Sequence, residues 1–193
     1  MIVGLILAGG LSRRMGGEPK AFMDLAGKPL ISHAIERLAP QVDDLLINAN
    51  QFQDRLSGYG YPIIADNIEG FAGPLAGIEA GLSHAPAETD WLVCAACDAP
   101  FFPSDLVARL TSVEAPSGVV FASSNGRSHP VFSAWRPSLL NALTAALEGG
   151  LRKVDAFEPA AKATLVEWDQ VPDPFFNINR PDDLEKAQDL ARS

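Results

Sequence analysis

Ile2-Val3-Gly4-Leu5-Ile6-Leu7-Ala8-Gly9-Gly10 opens the chain with an unbroken apolar run that stops at paired glycines. A run without polar alternation suits a strand buried on both faces. Leu30, Ile31, Ala34, Ile35 and Leu38 then recur at helical spacing behind Pro29, a residue suited to a helix start. The alternation continues: Leu45-Leu46-Ile47 and Tyr61-Pro62-Ile63-Ile64 are strand-like, and Leu75, Ile78 and Leu82 mark a helix between Pro74 and Pro86. Trp91 to Ala95 forms a further buried strand, and Leu106, Val107 and Leu110 a helix with Ser104 as its expected N-cap. Strands alternating with helices predict a three-layer α/β/α architecture with a mostly parallel central sheet.

The second half is less regular. Val119-Val120-Phe121 and Val131 to Trp135 read as strands, and the turn chemistry of Ser123-Ser124-Asn125-Gly126 predicts that they pair antiparallel. Leu139, Leu140, Leu143 and Leu147 give a helix stopped by Gly149-Gly150, Thr164-Leu165-Val166 a short strand, and Pro181 to Ala191 a terminal helix. With no linker, low-complexity tract or repeat, the expectation is a single domain over residues 1–193.

The chain has 193 residues, 24 acidic and 15 basic side chains and a formal net charge of -9. That balance argues against binding to nucleic acid, which draws on a basic face. It leaves room for one anionic ligand held by a local cationic cluster. No apolar run approaches a membrane span, and Met1 to Leu7 lacks the basic start of a signal peptide. The two cysteines, Cys94 and Cys97, are too few to staple a secreted scaffold of this size. A cytoplasmic location is expected.

In a sheet of this kind ligands sit beyond the carboxyl ends of the strands. The stretch Leu7-Ala8-Gly9-Gly10-Leu11-Ser12-Arg13-Arg14-Met15-Gly16-Gly17-Glu18-Pro19-Lys20 lies there. Its glycines expose backbone N–H groups, Ser12 adds a hydroxyl, and Arg13, Arg14 and Lys20 add cations, the chemistry a polyphosphate needs. A P-loop is excluded, because Gly16 is followed by Gly17 and Lys20 by Ala21; a dinucleotide-binding fingerprint is excluded because no Gly-x-Gly triplet occurs here. The plain alternative is a flexible surface loop.

Asp98 closes the apolar run Trp91 to Ala96. A carboxylate in a dry crevice needs a cation, and Mg²⁺ is typically held by one or two carboxylates plus substrate phosphates. The alternative is an N-cap for a helix over Pro100 to Ser104. Cys94-Ala95-Ala96-Cys97 fits a redox spacing, but its first cysteine lies within a strand, so buried, inert thiols are expected.

Leu7 to Lys20 resembles the signature of sugar- and cofactor-nucleotidyltransferases. Taken with Gly27-Lys28-Pro29-Leu30, Asn48-Ala49-Asn50, Asp66, Gly73-Pro74-Leu75-Ala76-Gly77, Cys97-Asp98-Ala99-Pro100-Phe101, His129-Pro130 and Asn177-Ile178-Asn179-Arg180-Pro181, it is similar to the molybdenum cofactor guanylyltransferase (MobA) family over nearly the whole chain. One position departs: Pro19 stands before the lysine where the family usually has Asp, with Glu18 preceding it.

The resemblance implies a Rossmann-like nucleotidyltransferase fold whose nucleotide half is about 1–100 and whose acceptor half is about 101–193. It implies transfer of GMP from GTP to the phosphate of molybdenum-bound molybdopterin, with release of pyrophosphate. The implied catalytic residues are Lys20, Arg13 and Asp98, with Asp98 on Mg²⁺. Leu7, Ala8, Gly9, Gly10, Ser12, Lys20, Asn48, Asp66, Gly73 and Asp98 would hold GTP, and His129, Arg152, Lys153, Asn177 and Asn179 would line the acceptor. The residues alone leave alternatives: Asn48 and Asp66 as helix caps or Asx turns, His129-Pro130 as a strand start, Arg152-Lys153 as a solvated helix turn, and Asn179 as an N-cap. The implied partners are these small molecules and, transiently, molybdoenzymes or cofactor-delivery proteins; a monomer is expected. A transferase using CTP or a sugar phosphate, and a non-catalytic nucleotide-binding module, are the competing readings.

Overall fold

The computed structural model describes residues 1–9, 19–68 and 73–192. Seven strands form one sheet: β1 (Ile2–Leu7), β4 (Asp44–Asn48), β5 (Ile63–Ile64), β6 (Trp91–Ala96), β7 (Val119–Ser124), β8 (Arg127–Trp135) and β9 (Thr164–Glu167), in the order β5-β4-β1-β6-β8-β7-β9. β5, β4, β1 and β6 run parallel. β8 runs antiparallel between β6 and β7, and β9 closes the far edge parallel to β7. A small ribbon of β2 (Asp24–Leu25) and β3 (Lys28–Pro29) stands outside the sheet.

The expected three layers are present because the apolar strands alternate into two cores. Val3, Leu5 and Leu7 of β1 face one side, with Leu92 and Cys94 of β6. Ile6 faces the other, with Val93 and Ala95. Helix α1 (Leu30–Leu38) buries Leu30, Ile31, Ala34, Ile35 and Leu38, as its spacing requires. It shares its side with α4 (Leu106–Thr111), while α3 (Pro74–His84) and α5 (Leu140–Glu148) cover the opposite side. Short α2 (Gln53–Leu56) and α6 (Glu158–Ala161), and terminal α7 (Pro181–Arg192), complete the chain. No helix among the described residues is long and apolar enough to cross a membrane.

The β7–β8 hairpin turns through Asn125 and Gly126, both in the left-handed region, where Gly and Asn carry the least strain. β8 begins at Arg127, earlier than its apolar part indicates, because pairing with Ser124 and Ser123 extends it through polar residues. Two capping expectations are corrected. α4 starts at Leu106 behind Asp105, not Ser104, and the Asp105 carboxylate accepts a hydrogen bond from Trp168 Nε1 at 3.1 Å instead of capping. No helix occupies Pro100 to Ser104, so Asp98 caps none.

Candidate active site

β1, β4, β5 and β6 end along one edge of the sheet, and a cleft of about 530 Å³ opens there. Leu7, Ala8, Gly9, Asn48, Asp66, Gly73, Asp98, Lys20 and Asn177 line it, together with Pro19, Asn50, Phe52, Pro74, Cys97 and Val131. Gly10, Ser12 and Arg13 lie outside the described residues.

Lys20 opens a short turn over Lys20–Phe22, and its Nζ donates to Asp98 Oδ2 at 2.9 Å and to Asn179 Oδ1 at 2.5 Å. Both side chains of the ion pair keep about a fifth of their surface exposed, 20% for Lys20 and 21% for Asp98, so the pair faces the cleft. The segment before α7 is fastened to the same point, since Ile178 N donates to Asp98 O at 2.8 Å. Asp183 Oδ2 accepts the Asn179 and Arg180 backbone N–H groups at 3.0 and 2.9 Å. Asp183 thereby caps α7, and the Asn179 side chain is left to meet Lys20 rather than to serve as the cap.

Asn48, the last residue of β4, is 5% exposed. Its Nδ2 donates to Asp66 Oδ1 at 3.0 Å and to Ile64 O at 3.4 Å. Asn50 makes a reciprocal pair with Asp66: Asn50 Nδ2 donates to Asp66 Oδ2 at 2.8 Å, and Asp66 N donates to Asn50 Oδ1 at 2.8 Å. One donor on each oxygen fixes the carboxylate plane and leaves acceptor capacity for a ligand's N–H groups. Behind it, Asn67 Nδ2 donates to Glu79 Oε2 at 3.0 Å, and Thr144 Oγ1 donates to Glu79 Oε1 at 2.9 Å. Glu79 is 4% exposed in α3 and so anchors the strand-end loop from inside the fold. Gly77 is required by close approach: a Cβ there would stand 2.4 Å from Asn48 Oδ1.

The acceptor-side candidates divide. Asn177 lines the cleft, and its buried Oδ1 has no hydrogen-bond partner among the described residues. His129 does not line it; its ring stacks on Phe175 with centroids 4.7 Å apart, and its Nε2 lies 2.7 Å from Ser124 Oγ. Ser124 Oγ also meets Asp173 Oδ1 at 2.9 Å. If the hydroxyl gives its single proton to the carboxylate, Ser124 accepts from His129 Nε2–H. Burial holds the His129 pKa below its ordinary value. Arg152 sends Nη1 to the carbonyls of Leu147 and Leu151, at 3.3 and 2.7 Å, at the end of α5. Its backbone carbonyl borders Gly73. Lys153 is exposed and also outside the cleft. Cys94 and Cys97 are buried free thiols whose pKa values burial pushes up.

Residues 4–163 match the MobA-like NTP transferase domain. A molybdenum cofactor guanylyltransferase of Rhodopseudomonas palustris (strain BisB5) is 44% identical, with 97% of this chain and 92% of that protein covered. The chain belongs to the MobA-like NTP transferase family. Another relative, a molybdenum cofactor guanylyltransferase of Yersinia pseudotuberculosis, is 45% identical, covering 95% of this chain and 93% of its own length. Among solved structures, molybdopterin-guanine dinucleotide biosynthesis protein A of Archaeoglobus fulgidus superposes with a TM-score of 0.78 at 27% identity, covering 100% of this chain and 99% of that one. A Thermus thermophilus 2-C-methyl-D-erythritol 4-phosphate cytidylyltransferase has the same fold, with a TM-score of 0.73 at 22% identity and both chains fully covered (100%). As a MobA-like transferase, the chain places its ion pair and its clamped Asp66 on a single sheet edge.

Asn50, Glu79 and Phe52 are the residues the sequence reading passed over. Asn50 lies within Asn48-Ala49-Asn50, where nothing local marks it as a partner for Asp66, and Glu79 lies in a helical stretch with no motif around it.

Proposed function

We propose that this chain transfers GMP from GTP to the terminal phosphate of molybdenum-bound molybdopterin. One observation carries the reading: Lys20 pairs with Asp98 at 2.9 Å in the same cleft that holds the clamped carboxylate of Asp66. Guanine presents N1–H and an exocyclic amine on one edge, and an ionised carboxylate is their acceptor. Asn48 and Asn50 hold that acceptor in place, and Gly73 and Pro74 wall the base. Cytosine offers Asp66 a poorer set of donors on that edge, which sets the preference for GTP.

The acceptor's phosphate oxygen attacks the α-phosphorus of GTP. A new P–O bond forms, the bond to the β-phosphate oxygen breaks, and pyrophosphate leaves. The phosphate monoester is already largely dianionic at neutral pH, so no general base is needed. Lys20 offsets charge on the phosphates, and the backbone N–H of Gly9 and the Gly-rich segment cradle them. Asn177 and Asn179 hold the acceptor. His129, Arg152 and Lys153 do not line the cleft, and Arg13 assists at the phosphates. The nucleotide half is about residues 1–100 and the acceptor half about 101–193.

The donor set fits magnesium. Asp98 has one oxygen on Lys20, and Asn177, whose buried Oδ1 has no hydrogen-bond partner among the described residues, lines the same cleft. Mg²⁺ takes most of its ligands from phosphates and water, so one carboxylate is enough protein ligation for it beside a triphosphate. Asp98 would hold the ion, which when bound supplies charge neutralisation to the triphosphate. Melting with GTP, CTP, UTP and ATP in turn tests the reading: GTP should raise the melting temperature most, and stabilisation by CTP but not GTP refutes it.

A further inference from the structure

The edge-reading residues leave the faces of the purine to be covered, and among the described residues the cleft lining offers one aromatic ring for that purpose. Phe52 lines it and is 47% exposed, so much of its side chain is accessible. Its backbone is at φ 59° and ψ 28°, left-handed, where a bulky residue is strained and Gly or Asn would be at ease. Strain of this kind persists where surrounding structure holds it, and it concentrates at ligand sites.

The surroundings do hold it. The Phe52 carbonyl accepts the Arg55 and Leu56 N–H groups at 3.0 and 3.1 Å and so starts α2. Gln53 Nε2 donates to Ala49 O at 3.1 Å, tying that start to the end of β4. The Phe52 ring meets Phe22 edge-on, with centroids 6.1 Å apart and planes at 84°. The Arg55 guanidinium lies 3.7 Å over the Phe22 ring. An aromatic side chain is thus fixed two residues beyond Asn50, which clamps Asp66.

We propose that Phe52 is the stacking platform for the guanine base: its ring takes a face of the purine while Asp66 takes the edge. This rests on the guanine-nucleotide reading above. Stacking on an aromatic ring acts on the base and not on the phosphates, so the two parts of the ligand separate the roles.

Titration of GTP and of tripolyphosphate, each with Mg²⁺, into the full chain and its F52G and F52Y variants tests this. Glycine accepts the left-handed backbone, so F52G removes the ring without adding strain. The expected result is a loss of GTP affinity of about ten- to hundredfold in F52G. F52Y should keep wild-type GTP affinity, and tripolyphosphate should bind all three proteins alike. Wild-type GTP affinity in F52G overturns the proposal. Equal weakening of GTP and tripolyphosphate also overturns it, since the ring would then be a support for the loop. A wild-type chain that prefers CTP to GTP overturns the guanine reading itself, and the platform with it.

Discussion

Replacing Gly77 by Ala converts a packing distance into a binding defect. The new methyl would lie 2.4 Å from Asn48 Oδ1 and 2.8 Å from Leu7 Cδ2. The first distance is far inside contact, and Asn48 is buried and hydrogen-bonded, so it must move. Overpacking of this kind costs about 1–3 kcal/mol. Alanine returns about 0.5–1 kcal/mol of helix propensity inside α3. The net destabilisation is about 0–2.5 kcal/mol, or at most roughly 10 °C in melting temperature for a chain of this size. The binding effect is separate. Displacing Asn48 breaks its bond to Asp66, and hydrogen bonds to charged groups contribute about 1.5–3 kcal/mol, so GTP affinity should fall about tenfold or more. Gly81→Ala is the control. Its methyl would meet Leu5 Cδ2 at 2.7 Å and Leu92 Cδ2 at 2.9 Å, both ends of apolar side chains remote from Asp66. It should lower the melting temperature and leave GTP binding intact. Calorimetric melting and GTP titration of both variants decide the matter. A Gly77→Ala protein that binds GTP as tightly as wild type would refute the coupling between α3 and the residues proposed to read the base.

Three further outcomes are expected. Lys20→Gln and Asp98→Asn should each lower pyrophosphate release by about 10²–10³-fold, with unchanged far-UV circular dichroism, and turnover near wild type would remove the ion pair from the mechanism. Asn50→Ala should weaken GTP by about tenfold and leave tripolyphosphate unaffected, because it releases the Asp66 carboxylate without touching the residues proposed to hold the phosphates. His129 has a folded-state pKa below its ordinary value of 6.5, so the unfolded chain takes up the proton first as pH falls. Its contribution to stability is complete above about 6.5 and is lost below it, and His129→Gln should flatten the fall in melting temperature across that window; an unchanged slope would contradict the shift.

What could be read in advance follows the range of the forces involved. The strands β1, β4 and β6 and the helices α1 and α3 were legible because apolar periodicity is local. The sheet edge that carries Asp66 and Asp98 follows from the alternation of those elements. The insertion of β8 between β6 and β7 was not legible, since it depends on which strand the hairpin docks against rather than on the hairpin's own residues. Asn50 and Glu79 escaped for a similar reason: each is a polar residue whose meaning comes from a partner 16 or 65 residues away. Asp105, not Ser104, precedes α4, and its carboxylate does not cap because Trp168, distant in sequence, claims it. Arg152 has the composition of an anion ligand, yet its guanidinium meets carbonyls at the end of α5, a local competition that composition does not reveal.

The central claim concerns chemistry at the Lys20–Asp98 pair, and product formation tests it most directly. The full chain is incubated with GTP, Mg²⁺ and molybdenum-bound molybdopterin, and the mixture is read by mass spectrometry. The account expects the guanine dinucleotide and one pyrophosphate per product, both lost with chelator or in Asp98→Ala. Dinucleotide formed equally well by Asp98→Ala, or formed from CTP in preference to GTP, would contradict it.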